Sequence, residues 1–200
     1  MKKATYLLTT VTISLFLTNC GGGGSSSTTT NNNIDNDTII ENQQDTATNN
    51  IPNINTKFTR VGETVIDNKR GLIWQDNNEV TFIFKSWQSE DNYYSCFKDT
   101  TSVKCLDTSG DTADTYCKNL VLDGYTNWRL PTRDELLTIV DKDNYPTIDK
   151  TFKNNQASFY WSSTPDNLIV NYALGVFFNV GNGGSYNKSD LGNIRCVTKK

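Results

Sequence analysis

The sequence predicts an α+β domain: two helices, then a β-rich half of mixed or antiparallel strands. Three observations predict it. Apolar residues recur at helical spacing in Asp111 to Val121 and again after Thr132. From "SFYWSST" onward the chain alternates apolar and polar residues, with Gly and Asn punctuating the runs. Helices and strands occupy separate stretches rather than alternating, which argues against a parallel βαβ sheet.

The elements follow in order. "FTRVGETVIDNKRGLIWQD" reads as two strands around a turn. Thr64, Val65 and Ile66 lead in, Asp67 to Gly71 supplies the turn, and Leu72, Ile73 and Trp74 lead out. Phe82 to Trp87 is a short apolar patch, and Ser89 to Gly110 a polar insertion. In the first helix Ala113, Tyr116, Cys117 and Leu120 share one face. The stretch "NWRLPTRDEL" is strand, corner and helix start. Pro131 biases Leu130 away from the helical region, so Asn127 to Leu130 is extended. Trp128 and Leu130 then point to one face and Arg129 to the other. Thr132 and Glu135 form a capping box, and Leu136, Leu137 and Val140 give the second helix its apolar face. In "LIVNYALGVFF" one side carries Val170, Tyr172, Leu174, Val176 and Phe178. "GNGG" (Gly181 to Gly184) reads as a hairpin turn, and "GNIRCVTK" as the last strand.

The N-terminal quarter has a different character. Lys2 and Lys3 precede an apolar core, Tyr6 to Leu17, too short to span a bilayer. It ends in Leu17-Thr18-Asn19-Cys20-Gly21, which resembles a bacterial lipobox. Residues 1–19 are therefore expected to be a lipoprotein signal, with Cys20 the lipidated residue. Gly rather than Asp after Cys20 points to the outer membrane. Residues 20–56 are Gly-, Ser-, Thr- and Asn-rich, with little to bury, and are expected to be a disordered linker. Its 36 residues from Gly21 to Thr56 reach about 30–35 Å as a flexible coil. Residues 57–200 are long enough for one domain with its own core.

Charge and composition exclude several functions. The domain carries 17 basic and 18 acidic residues. That balance gives no sign of nucleic-acid binding. No histidine occurs anywhere, which removes Ser-His and Cys-His catalysis and the common zinc sites. Besides Cys20 there are Cys96, Cys105, Cys117 and Cys196. An even number in an exported chain implies two disulfides, with three possible connectivities. Cys96–Cys105 with Cys117–Cys196 is favoured. The first pair staples a short polar excursion, and the second joins a helix to the last strand. The long loop is worth roughly 4–5 kcal/mol and the short one about 2.5 on the chain-entropy model. No CxxC spacing supports a metal, and "DKDN" (Asp141 to Asn144) has the composition of a solvated loop.

"GLIWQD", "YCKNL", "GYTNWRLPTRDEL", "YWSST" and "NIRCV" occur in that order between about Thr64 and Val197. In this the sequence resembles the bacterial family typed by the C-terminal domain of the Legionella collagen-like adhesin. The resemblance implies a C-type-lectin-like fold, with a helix cysteine bridged to the last strand. Its founding member binds sulfated polysaccharides. This chain departs from it in having no collagen-like repeat and no basic excess. The calcium-dependent sugar motifs of animal C-type lectins are absent.

The function expected is a surface-exposed lipoprotein carrying a ligand-binding or adhesion module for glycan or polysaccharide, facing the periplasm or the cell surface. The alternative is a structural envelope component that binds other proteins and no soluble ligand. Its partners are then the membrane, through the N-terminal lipid, and a glycan or envelope protein. No nucleic acid, metal or cofactor is expected. An enzyme is not expected either. "RLPT" also resembles formylglycine-generating oxidases, but those need a C-terminal cysteine pair, and here the β-rich second half of the domain holds Cys196 alone. Trp128, Arg129, Leu130, Pro131, Thr132, Glu135 and Trp161 are read as structural, with Arg129 in a buried or half-buried ion pair. Asn171, Tyr172, Asn179, Asn182, Tyr186 and Lys188 are the candidate ligand contacts.

Overall fold

The computed structural model describes residues 56–99 and 102–200. The lipobox, Cys20 and nearly all of the linker lie outside the described residues. The fold is α+β, with two sheets and four α-helices among the described residues. Strands β1 (Phe58–Val61), β2 (Thr64–Asp67) and β3 (Leu72–Gln75) form an antiparallel meander. The last strand, β9 (Val197–Lys199), pairs with β3 and so brings the two ends of the domain together. The second sheet has the order β4-β8-β5-β6-β7. Its strands are β4 (Phe84–Lys85), β5 (Phe159–Pro165), β6 (Tyr172–Phe177), β7 (Asn182–Asn187) and β8 (Gly192–Asn193).

The described residues form four α-helices where the sequence indicated two. The extra pair, α1 (Glu90–Lys98) and α2 (Ser102–Cys105), lies in the segment read as a polar insertion. Helix α1 buries Cys96 alone among its residues, so it leaves almost no apolar periodicity to read. Helices α3 (Ala113–Asn119) and α4 (Arg133–Thr138) match the two expected. Both begin with a capping box, at Thr112 and at Thr132.

Alternation along three strands divides the interior into two apolar clusters. Trp74, Tyr160 and Val197 enter one cluster, beside Phe58, Leu136, Ile139 and Phe152. Their chain neighbours Ile73, Trp161 and Cys196 enter the other, beside Trp87, Cys117, Trp128 and Leu130. A strand buried on both faces needs apolar residues at consecutive positions, which is why "LIW", "FYW" and "CV" read as runs. Strand β6 follows the expected side only in part. Val176 and Phe178 are buried, Tyr172 and Leu174 are half-buried, Val170 is exposed, and Ala173 is buried on the opposite face.

The hairpin turn is not "GNGG". The chain turns at Phe178 to Gly181, where Gly181 takes φ of 69° and donates its N–H to Phe177 O at 2.7 Å. Asn182, Gly183 and Gly184 are already strand, paired with Phe177, Val176 and Gly175. Gly184 is needed there for space, since a Cβ would sit 2.6 Å from the Phe177 ring. The expected last strand is likewise two short ones, β8 and β9, with Ile194 to Cys196 between them.

Candidate functional site

At the corner after α3, every side chain of the "WRLPT" motif is engaged in the fold. Trp128 and Leu130 are buried in the second cluster, and the Trp128 indole N–H donates to Tyr125 O at 2.9 Å. The Arg129 backbone pairs with Val197 in both directions, at 2.9 Å each. Its half-buried guanidinium makes a bidentate pair with Glu135, at 2.6 and 2.8 Å. Glu135 also accepts the Thr132 backbone N–H at 2.8 Å, and Thr132 Oγ1 accepts the Glu135 N–H at 3.1 Å. One carboxylate therefore closes the helix cap and neutralises Arg129. Burial pushes Glu135 upward, but the bonds from Arg129 and Thr132 outweigh it and hold the carboxyl below its usual range. Pro131 is buried, and Trp161 is fully buried with its indole N–H on Lys85 O at 2.9 Å.

The disulfides are Cys96–Cys105 and Cys117–Cys196. Beside the second lies an ion pair that the sequence did not announce. Arg195 and Asp76 are both fully buried, 2.9 Å apart. Arg195 also donates to Gln75 O and Asn155 Oδ1, while Asp76 accepts the N–H groups of Lys153 and Asn154 and pairs with Arg60. "NIRCV" was legible as a motif, but nothing local pointed to Asp76, 119 residues away.

The six candidate ligand residues do not converge. Asn179 and Asn182 sit at the β6–β7 turn, where Asn182 accepts from Lys142 at 2.9 Å. Asn171, Tyr172, Tyr186 and Lys188 lie towards the other end of the hairpin, with Tyr172 opposite Asn187 and Tyr186 opposite Ala173. Tyr186 stacks on Phe159 at 4.8 Å between ring centroids. Lys188, expected on the surface, is buried with 1 % exposure. Its ammonium donates to Cys105 O at 2.6 Å and Val170 O at 2.7 Å, and it lies 4.7 Å from the Trp87 ring centroid. Each of its three N–H bonds thus has a partner or an aromatic face within reach. Lys188 is a clasp between the stapled α2 turn and the β5–β6 loop.

The clasp closes one end of an apolar cleft. A cavity of about 270 Å³ is lined by Trp87, Leu106, Thr108, Asp114, Leu130, Ser163 and Pro165. Leu106 and Pro165 also line a second cavity of about 160 Å³, which runs on to Asp166, Asn167, Val170 and Lys188. Elsewhere on α1, α2 and the β5–β6 loop Phe97, Val103 and Leu168 expose apolar side chains, at 67 %, 80 % and 95 %. Mostly apolar walls with a few placed polar groups are the usual make-up of a binding site.

Burial lowers the Lys188 pKa to about 8, against a smaller upward pull from Asp166. The unfolded chain keeps this proton to about pH 10.4. Between the two values the unfolded state binds more protons, so the stability contributed by Lys188 rises across that window. Nitrogen-15 NMR of the lysine ammonium groups should show one titrating near pH 8 that is missing from Lys188→Met. Lys188→Met also strands two carbonyls, at a cost of about 2–4 kcal/mol in urea unfolding. If Lys188→Met leaves the urea midpoint unchanged, the buried clasp is wrong.

A family model described as the Lcl C-terminal domain matches residues 63–198. The chain belongs to the Lcl C-terminal domain family. This is a family of adhesin-like modules. The match runs from the turn before β2 to the end of the fold, and it includes the Trp128 corner, both disulfides and the Arg195–Asp76 pair. A search of curated proteins finds no match. Among the described residues no group of three or more Cys, Asp or Glu is placed to hold a metal ion.

Proposed function

We propose that this Lcl C-terminal domain is a glycan-binding adhesion module, tethered to the outer membrane through lipid on Cys20 and facing the periplasm or the cell surface. The observation that carries the reading is the clasped cleft. Two loops are fixed by the Cys96–Cys105 disulfide and by Lys188, and Leu106 and Pro165 on them line a concave apolar surface. Fixing loops in advance removes part of the ordering cost of binding. A C-type-lectin-like architecture is the reading that fits the adjoining terminal strands and the helix-to-last-strand disulfide.

A second reading, a protein-binding envelope component, is favoured by the chemistry of the most exposed groups. Phe97, Val103 and Leu168 offer no hydrogen bonds to a sugar. A glycan array with the labelled domain, residues 57–200, separates the two. The expected result is carbohydrate binding that falls when Leu106 or Pro165 is replaced by a bulky charged residue. No bound carbohydrate, together with cross-links from Val103 or Leu168 to an envelope protein, would establish the second reading instead. The anchor is tested apart from the ligand. Cys20→Ser should move the chain from the membrane to the soluble fraction, and a variant that still floats with membranes would refute lipidation at Cys20.

A further inference from the structure

Resting on the glycan reading, we propose that a separate pocket beside α1 binds one neutral, hydroxyl-rich sugar ring. The pocket holds about 270 Å³, near the lower bound of roughly 300 Å³ for ligand sites. Its lining includes Gln88, Glu90, Tyr93, Tyr94, Ser189 and Leu191, on the start of α1 and the turn between β7 and β8. None of the six ligand residues expected from the sequence lines it.

Three features define what fits. The first is aromatic surface. Tyr93 and Tyr94 stand at 70° with their centroids 6.0 Å apart, and Tyr94 is 55 % exposed. Leu191 adds a further exposed apolar wall. The C–H face of a pyranose is apolar and packs on such rings. The second is polar groups with free hydrogen-bonding capacity. Gln88 is fully buried, and its Nε2 donates to Lys104 O and Asp107 O at 3.1 Å each. That fixes the amide orientation, and Gln88 forms the floor with its Oε1 buried beneath the pocket surface. Glu90 is exposed and forms no ion pair among the described residues. Tyr93 accepts from Asn187 Nδ2 at 3.0 Å, so its own proton remains to be donated. The third is the charge of the lining. It contains a carboxylate and no Lys or Arg.

Ring faces with a carboxylate and no cation suit a ligand that brings donors and no negative charge. Sugar hydroxyls donate to the Glu90 carboxylate and accept from the Tyr93 hydroxyl, and an aliphatic ring face covers Tyr94. A sulfated or carboxylated sugar would meet Glu90 with no counter-charge in the lining. The pocket therefore selects for neutral sugar, a different class from the sulfated polysaccharides bound by the adhesin whose family this sequence resembles.

The test titrates the full chain with methyl glucoside, methyl galactoside, methyl mannoside, N-acetylglucosamine and a heparin tetrasaccharide, read by saturation-transfer NMR. At least one neutral sugar is expected to bind. Tyr94→Ala and Glu90→Gln should each weaken it about tenfold or more, the scale of a central aromatic or charged contact. Both side chains are exposed, so the unfolding midpoint should not move. Binding of heparin alone overturns the pocket and leaves the glycan reading standing. Neutral-sugar binding that survives both substitutions does the same. Failure of every neutral and sulfated sugar to bind overturns both.

Discussion

Asp76→Ala is expected to destabilise the domain by about 3–5 kcal/mol, the range for breaking a buried ion pair from one side. The substitution leaves Arg195 fully buried without its carboxylate, and it strands the N–H groups of Lys153 and Asn154. Burial, against a smaller upward pull from Tyr160, draws the Arg195 pKa down to about 10, so the guanidinium stays charged at neutral pH. It lies 4.9 Å from the Phe152 ring centroid, in a site with little room for water to compensate. Arg195→Met should cost a similar amount, because Asp76 would then rely on the half-buried Arg60. Replacing Arg195 and Asp76 together by apolar residues should cost less than the two single substitutions summed, since neither charge is left alone. Urea midpoints for the two singles and the double settle it. A strictly additive double would mean that the pair is not the unit holding the β3 end to the last strands.

How legible these features were depended on how local their cause is. Helices α3 and α4 were readable because each buries a face at helical spacing, and α4 also starts with a legible capping box. Trp128, Leu130 and the Thr132–Glu135 box lie within eight residues of one another in sequence, so the corner could be assembled from dihedral rules alone. Lys188 could not. Its burial depends on carbonyls of Cys105 and Val170, 83 and 18 residues away, and a lone lysine after a strand reads as solvent-facing. The same holds for Asp76 and Arg195. "GNGG" misled for another reason: those glycines were selected by a crowded strand pairing against Phe177 rather than by a turn. The pocket beside α1 was hidden with its helix. "EDNYYSCFK" is polar at most positions, and the tyrosines gave no sign of which side they would face.

Trp128→Ala should cost about 3–5 kcal/mol, because it opens a cavity in a cluster that cannot readily collapse. The indole is 3 % exposed, packs edge-on against Tyr125 at 6.2 Å, and shares its cluster with Leu130, Trp161 and the Cys117–Cys196 disulfide. The disulfide pins α3 to the last strands on either side of the void, so relaxation is limited. Two neighbours calibrate the result. Thr132→Ala removes the bond to the Glu135 N–H and should cost about 1 kcal/mol. Arg129→Ala should fall near or below that, since the pair is half-exposed and Glu135 keeps its bond to the Thr132 N–H. The expected order is therefore Trp128 first, with Thr132 and Arg129 well behind, read as unfolding midpoints in urea. A ligand clamp predicts the opposite pattern: midpoints near the parent for all three and a loss of carbohydrate binding. A Trp128→Ala chain as stable as the parent would move the search for the ligand to this corner, because an indole that contributes nothing to the fold must be held there for something else.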